Sequence, residues 1–377
     1  MNHTESGALR LGDFIGKRVA VGLSGGVDSS LVAALLVDAG AMVTGITMKI
    51  WREGALPVTP GSGDACYGPG EEEDVAACVE LCRSLGIPYH ALDLAAEYER
   101  RVLDYFREEY RRGRTPNPCV RCNRDMKFGF LLERAREAGA EFEIFATGHY
   151  ARIERREGLP RLRTAVDAAK DQSYFIHRLT PEILSRVAFP LGSLTKAQTR
   201  ELARKFGLAS ADKPESQDFI PGGYAAAFGD EEPGDIVDAS GKVLGRHRGL
   251  AHYTIGQRRG IGVSAGPEPV YVSALDPATN RVVVSSDASL FASGLVGLDA
   301  FLSGPASTGG PVRALVRIRQ NHRPAPASVS LDGERATVQF DDPQRAVAPG
   351  QSAVFYDAEG FVLGGCVIES AVKQPLA

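Results

Sequence analysis

The run Leu23-Ser24-Gly25-Gly26-Val27-Asp28-Ser29-Ser30 constrains this chain more than any other stretch. One apolar run, Val19 to Leu23, precedes it and a second, Leu31 to Val37, follows it. That order reads as strand, glycine-rich turn, helix. Such a turn aims backbone N–H groups, the Ser24 and Ser29 hydroxyls and a helix N-terminus at one point, which suits a phosphate or pyrophosphate. The run is not the dinucleotide form G-x-G-x-x-G, and no Gly-Lys-Ser/Thr follows to make a Walker A loop. A turn with only a structural task would need the glycines but not Ser24, Asp28 and Ser29 together. Asp28 is out of place beside phosphates unless it meets a Mg²⁺ ion that they hold.

Strand and helix signals then alternate. Strands are expected over 17–23, 42–48, 88–92 and 144–147, and helices over 29–39, 71–85, 98–112 and 125–138. Repeated β-then-α order implies a mainly parallel sheet with helices on both faces, and phosphate chemistry at the carboxyl ends of its strands. Residues 52–70 read as a loop rich in Gly and Pro. From about 215 short strands and turns dominate. From about 290 the chain alternates as strands do, over 312–318, 336–340, 352–356 and 362–368, with turns such as Asp332-Gly333 and Pro349-Gly350 between them. That pattern suits a small β-barrel or sandwich, and the barrel is taken here. The expected fold class is therefore α/β. A flexible leader (1–16) precedes a Rossmann-like phosphate-loop domain (17–215), a small mostly-β domain (216–287) and a C-terminal β-barrel (288–377) with a loop at 303–310.

A length of 377 residues with 44% apolar content supports two or three domains with real cores. The net charge of −4 excludes a globally basic nucleic-acid binder, although a local basic surface is enough for RNA. No apolar stretch approaches the length of a membrane helix and no signal-peptide core is present, so a soluble cytoplasmic protein is expected. Six cysteines are too sparse for a disulfide scaffold, which points to free thiols.

Two of them, Cys119 and Cys122, form C-x-x-C among Arg114, Arg121, Arg124 and Lys127. Positive charge lowers a thiol's pKa, and a helix beginning near Asn123 would do the same for Cys122. Half of a structural zinc site is the plainer reading, but zinc would need two more ligands of comparable quality. Cys78 and Cys82 stand one turn apart on an amphipathic helix and Cys366 lies in an apolar strand, so these three are expected in the core.

Together these motifs resemble the bacterial tRNA-specific 2-thiouridylase family, within the PP-loop class of ATP pyrophosphatases. The resemblance rests on Ser24 to Ser30 and on Gly45-Ile46-Thr47-Met48-Lys49. It also rests on the run Gly113 to Asn123, Lys127-Phe128 and Ala146-Thr147-Gly148-His149-Tyr150. Further support comes from Lys170-Asp171-Gln172-Ser173-Tyr174-Phe175, Thr254 to Gly260, and Pro349 to Tyr356. It implies an enzyme that replaces O2 of the wobble uridine (U34) of tRNA with sulfur, using ATP, Mg²⁺ and a sulfur donor or relay protein. By resemblance, Gly22, Leu23, Ser24, Gly25, Gly26, Val27, Asp28 and Ser29 surround the phosphates, and Met48 and Gly148 line the adenosine pocket. Asn117, Pro118 and Cys119 meet the target base, Lys170, Asp171 and Gln172 touch tRNA, and Cys122 is the catalytic cysteine. The Val316–Gln320 stretch resembles the family's tRNA-contact strand, which adds Arg319 and Gln320, the latter where Tyr is common.

The chain departs from the family pattern in two places. Cys119 stands where the family often has Asp, as in its C-x-x-C variants. The usual Lys-Pro-Asp-Ser-Gln-Glu-Ile-Cys-Phe becomes Lys213-Pro214-Glu215-Ser216-Gln217-Asp218-Phe219-Ile220, so the Ile-Cys pair that would bring the persulfide cysteine is missing. Three readings follow. Cys119 and Cys122 perform the relay themselves, one carrying sulfur and the other releasing it by forming a disulfide. Alternatively the pair ligates a 4Fe–4S cluster with Cys66 as third ligand, or thiolation has been lost.

Basic clusters at Arg111-Arg112-Arg114, Arg152 to Arg163, Arg246-His247-Arg248, Arg258-Arg259 and Arg313 to Arg323 offer phosphate contacts. His149 reads equally as a general base or as pocket packing. Competing functions are another adenylating ligase or synthetase, which would share the loop but lack Asn117-Pro118-Cys119-x-x-Cys122, and a non-catalytic RNA-binding protein.

Overall fold

The computed structural model describes residues 11–54, 56, 65–214, 219–220, 228, 231–264, 268–303 and 310–373. The chain divides into two compact units. One comprises Met1–Arg101, Cys119–Pro221 and Gly360–Val362; the other comprises Val102–Pro118, Gly222–Glu359 and Leu363–Ala377.

The first unit is built on a parallel sheet. Its strands are β1 (Arg18–Gly22), β2 (Met42–Lys49), β3 (Tyr89–Asp93), β4 (Ile144–Ala146) and β7 (Val187–Ala188), in spatial order β3-β2-β1-β4-β7. Val19, Ala20 and Val21 of β1 are wholly buried, the continuous apolar run expected of a central parallel strand. Strand order reverses at β1, with β2 on one side and β4 on the other. The crevice beyond the carboxyl ends of β1 and β4 is therefore the topological switch point, where open α/β sheets bind ligands. Helices α1 (Val27–Asp38) and α2 (Glu71–Leu85) follow the loops after β1 and β2. Leu31, Val32 and Leu36 of α1 and Cys78 and Cys82 of α2 enter one core with β1. An antiparallel hairpin, β5 (Ala151–Arg156) and β6 (Leu159–Thr164), turns through Glu157 and Gly158, both at positive φ. Its Glu-Gly turn is a weak hairpin signal beside Asn-Gly.

The second unit holds a four-stranded sheet and a closed barrel. The sheet runs β10-β11-β8-β9, from β8 (Gly234–Asp238), β9 (Val243–His247), β10 (Tyr271–Asp276) and β11 (Arg281–Ser285). The barrel closes in the order β12-β15-β14-β13-β16-β17, from β12 (Phe291–Leu302), β13 (Val312–Arg317), β14 (Ala325–Asp332), β15 (Arg335–Arg345), β16 (Ser352–Tyr356) and β17 (Val362–Val372). Closure leaves no free edge. The barrel, rather than a sandwich, is thus the architecture formed.

Several expectations shift. Residues 1–10 of the expected leader and 304–309 of the expected loop lie outside the described residues, while Leu11–Phe14 forms a helical turn that buries Phe14. The single helix expected over 98–112 is three segments, Ala95–Tyr98, a π-helix Glu99–Leu103 and Asp104–Arg111. The helix expected to begin near Asn123 begins at Pro118, with Pro at the start where its missing N–H costs nothing, and continues as a π-helix over Cys122–Phe130 before Leu131–Glu137.

Candidate active site

The phosphate loop is closed by its own hydroxyls. Ser24 N–H donates to Ser29 Oγ at 3.2 Å, and Ser29 Oγ and Ser30 Oγ donate to the Gly26 carbonyl at 3.2 and 2.9 Å. Gly25 sits at φ +71°, and a Cβ there would lie 2.6 Å from Asp74 Oδ1. Gly26 caps α1 without any side-chain hydrogen bond, which leaves first-turn N–H groups to a ligand. Thr47 Oγ1 donates to the Leu23 carbonyl at 3.0 Å, tying the end of β2, and so Met48, to the loop. Gly148 follows β4 and backs onto α1, where a Cβ would lie 2.8 Å from Asp28 Cβ and 2.9 Å from Ser29 N. Gly22 is hemmed in by the Phe145 ring. The loop and Gly148 thus meet at the switch point, and Met48 stands at the adjoining carboxyl end of β2.

Asp28 is engaged from two sides. Lys196 Nζ donates to its two carboxylate oxygens at 2.7 and 2.9 Å, and the Tyr150 hydroxyl donates to Oδ1 at 3.0 Å while lying 2.9 Å from Thr199 Oγ1. Lys196 opens the helix Lys196–Lys205, whose start is fixed by a capping box between Thr195 and Gln198. On the other flank Lys213 Nζ pairs with Asp74 and lies 3.5 Å from the Gly25 carbonyl. The sequence places neither lysine at the loop, although Lys213 heads the stretch matched to the family's Lys-Pro-Asp-Ser-Gln pattern and Thr-Lys-x-Gln is a signal for the helix start.

A chain of contacts leads from this loop to the cysteines. After Gly148, His149 Nδ1 lies 2.7 Å from Thr147 Oγ1, and its ring packs between Phe128 and Phe189 at 5.7 and 5.8 Å. Burial first, and then Lys127, hold its pKa well below 6.5, so it is a neutral packed ring and a weak base. Of its two readings, the structure takes pocket packing.

Cys119 and Cys122 lie one helical turn apart, Cys119 half-buried and Cys122 buried. The expectation of low thiol pKa values is overturned. Burial and neighbouring thiols push Cys119 up to about 12, and burial pushes Cys122 up to about 11, with Lys127 pulling both the other way. The arginines do not offset this, because Arg121 and Arg124 are tied to Asp125 at 3.0 and 2.6 Å and Arg114 to Glu109 at 2.8 Å. The helix-dipole argument also moves from Cys122 to Cys119, because the helix starts at Pro118 and Cys119 occupies its first turn. Lys127 stands five residues after Cys122, a spacing that the wide turn of a π-helix brings toward one face. Cys66, exposed, acts electrostatically on both sulfurs, and all three thiols act on Tyr98, which stacks on Tyr67 at 5.7 Å. Cys78, Cys82 and Cys366 are buried as expected. Gln217 and the point where the Ile-Cys pair is missing lie outside the described residues.

The expected RNA contacts divide. Asp171 is buried; Ala165 N–H donates to its carboxylate at 3.0 Å and Ser173 Oγ at 2.8 Å, while Gln172 Oε1 accepts from Tyr150 N–H at 2.9 Å. Both side chains hold the turn that presents Lys170. In the second unit Arg319 donates to the Arg345 and Ala346 carbonyls at 3.3 and 3.4 Å, beside Gln320, whose carbonyl accepts from Arg317. Asn117 and Pro118 also belong to that unit. There Thr115 N–H donates to the Pro349 carbonyl at 2.8 Å, Gln351 donates to Thr115 O at 3.0 Å, and a Cβ at Gly350 would lie 2.9 Å from Thr115 backbone. The Pro349-Gly350-Gln351 motif therefore anchors the stretch leading to Asn117.

Family models match the chain in three consecutive stretches: a tRNA methyl transferase HUP domain over 17–221, a tRNA methyl transferase PRC-barrel domain over 224–286, and an aminomethyltransferase beta-barrel domain over 299–368. The tRNA-specific 2-thiouridylase MnmA of Geobacter metallireducens is 44% identical over 369 residues, covering 95% of this chain and 98% of the relative. The chain belongs to the tRNA-specific 2-thiouridylase family. The 2-thiouridylase of Carboxydothermus hydrogenoformans is 43% identical over 94% of this chain and 99% of its own length, and that of Magnetococcus marinus is 43% identical over 93% and 99%. Among the described residues no helix is long and apolar enough to cross a membrane.

Proposed function

We propose that this family member 2-thiolates the wobble uridine of tRNA at the expense of ATP, with Cys119 and Cys122 as a self-contained sulfur relay. The observation that carries the reading is the run of contacts from the phosphate loop through Gly148, His149 and Phe128 to the helix bearing Cys122. Methyl transfer, the word in two of the family-model names, calls for no ATP-splitting loop; thiolation does.

Uracil C2 is a poor electrophile because its oxygen leaves badly. Attack of that O2 on the α-phosphorus of ATP forms an O–P bond and expels pyrophosphate, which makes AMP the later leaving group. Loop N–H groups and hydroxyls stabilise the charge that develops. Mg²⁺ would offset further phosphate charge, and Asp28 offers the carboxylate that this ion prefers. Cys119, the more accessible thiol, takes a terminal sulfur from a persulfide donor. That sulfur attacks C2 and AMP leaves. The Cys122 thiolate then attacks Cys119 Sγ, forming the Cys119–Cys122 disulfide and leaving the electron pair on the sulfur of 2-thiouridine. A dithiol reductant restores the pair. We assign tRNA contact to Asn117, Pro118, Lys170, Arg319 and Gln320, adenosine contact to Met48, and domain limits near 215 and 287.

A 4Fe–4S cluster is the rival source of sulfur, and the mutual influence of Cys66, Cys119 and Cys122 favours it. Against it, no three His, Cys, Asp or Glu side chains are grouped to hold a metal ion among the described residues. The relay is therefore preferred. The test is thiolation of tRNA lacking the modification by protein isolated without oxygen, with iron and persulfide measured on the same sample. The relay predicts thiouridine from iron-free, persulfide-bearing protein and none from Cys119→Ser, which still binds ATP. Activity that requires iron, or survives in Cys119→Ser, contradicts it.

A further inference from the structure

We propose that Lys196 and Lys213 form the pyrophosphate-binding subsite, each held by an aspartate until phosphates arrive. The inference rests on the ATP-splitting reading and deepens it.

The phosphate loop carries no lysine between Gly22 and Ser30, unlike a Walker A loop, whose lysine reaches the β- and γ-phosphates. An anion with several charges, held by N–H groups and hydroxyls alone, is poorly neutralised. The structure brings two lysines to the loop from about 170 and 190 residues further along the chain. Lys196 reaches the start of α1, where its side chain is only 12% exposed and grips both oxygens of Asp28. Lys213 reaches the glycine turn, within 3.5 Å of the Gly25 carbonyl, and pairs with Asp74. The two cations thus bracket the loop, one at each end. Each aspartate is also beside the loop: Asp28 within it, and Asp74 against the face of Gly25 that a Cβ would occupy.

This pairing solves a storage problem. A buried ammonium without a counter-charge is costly, and Asp28 removes that cost for Lys196 while the site is empty; Lys213, more exposed, is held in place by Asp74. When uridine O2 bonds to the α-phosphorus, the bond from that phosphorus to the leaving oxygen breaks with its electron pair on pyrophosphate. Pyrophosphate thereby gains charge, and two ammonium groups beside it are attracted more strongly than they were to ATP, which is the differential binding that lowers a barrier. AMP, which lacks the β- and γ-phosphates, has no use for either lysine.

The test is calorimetric titration of the full chain with magnesium pyrophosphate and, separately, with AMP. Lys196→Met and Lys213→Met are expected to weaken pyrophosphate binding about 10- to 100-fold each, and to leave AMP binding within about threefold. Lys196→Arg keeps most of the pyrophosphate affinity. Lys196→Gln, which can still donate to Asp28 and so keep the loop in place, loses it as Met does. Lys205→Met, on the same helix but paired with Glu201 in solvent, changes neither titration. Unchanged pyrophosphate binding, or equal loss of pyrophosphate and AMP, overturns the subsite. Wild-type protein that binds both ligands but releases no pyrophosphate from ATP and tRNA overturns instead the reading on which it rests.

Discussion

At the end of β1 the turn of the phosphate loop is closed by groups within a few residues of one another, and distant groups such as Thr47 and Lys196 hold it to the rest of the fold. Ser24, Ser29 and Ser30 close it, and Gly25 supplies the positive φ. The helix carrying Cys119 and Cys122 is governed from a distance. Cys66, which acts on both sulfurs, is far away in sequence, and burial sets the character of both thiols. In the loop local chemistry and tertiary setting agree. In the cysteine segment they conflict: nearby basic residues promise reactive thiolates, and burial outweighs them. Protonated, buried thiols resist oxidation, which would suit the proposed relay.

The contrast breaks most sharply on substitution. Cys122→Ser should reduce thiouridine formation by roughly a thousandfold or more while ATP affinity stays near the wild-type value. Equilibrium binding of labelled ATP and single-turnover thiolation on one preparation would show it, and a joint loss would mean that the two regions are not separable. Gly148→Ala should do the reverse. Its Cβ has no room against Asp28 and Ser29, and overpacking of about 1–3 kcal/mol corresponds to roughly 5- to 150-fold in ATP affinity. Alkylation of a persulfide-free sample should still reach Cys119 and Cys122 at the wild-type rate.

Thiol titration sharpens the comparison further. Because both pKa values are raised, the thiolate fraction is small at neutral pH and grows as pH climbs toward about 11 for Cys122 and about 12 for Cys119. Iodoacetamide labelling of this pair should rise about tenfold per pH unit between about pH 7 and 10, with no plateau. Lys127→Met, which removes the cation pulling both values down, should slow labelling about three- to tenfold at each pH. A plateau near neutral pH would show that burial does not dominate. The smallest effect is expected from Tyr150→Phe, which removes hydroxyl bonds to Asp28 and Thr199 but leaves Lys196 on Asp28. About 1 kcal/mol of stability, read from the urea midpoint, is the expected loss.

Legibility in the sequence follows the same division. The parallel sheet, α2 and the barrel were readable because apolar periodicity and turn residues act over short windows, and Glu71–Leu85 and Ser352–Tyr356 fall where the pattern puts them. Strands β12 and β14 were missed, since alternation in Phe291–Leu302 is blurred by Gly294 and Gly297 and Ala325–Asp332 begins with Ala-Pro-Ala. The loop residues and Gly148 were legible as motif. Lys196 carries no such signal, because a lysine in an amphipathic helix looks solvent-facing until the fold brings it to Asp28; Lys213 stands in a family-like motif, but its place beside Gly25 depends on the fold. Asp171 shows the opposite: its place in a motif suggested RNA contact, whereas its carboxylate ties down a buried turn.

The relay itself is best tested by one stoichiometric measurement. Protein loaded with a single persulfide is given ATP and unmodified tRNA without reductant, and 2-thiouridine is counted against the peptide that contains both Cys119 and Cys122. One thiouridine and one Cys119–Cys122 disulfide per protein are expected. Thiouridine formed while both cysteines remain reduced would contradict the relay.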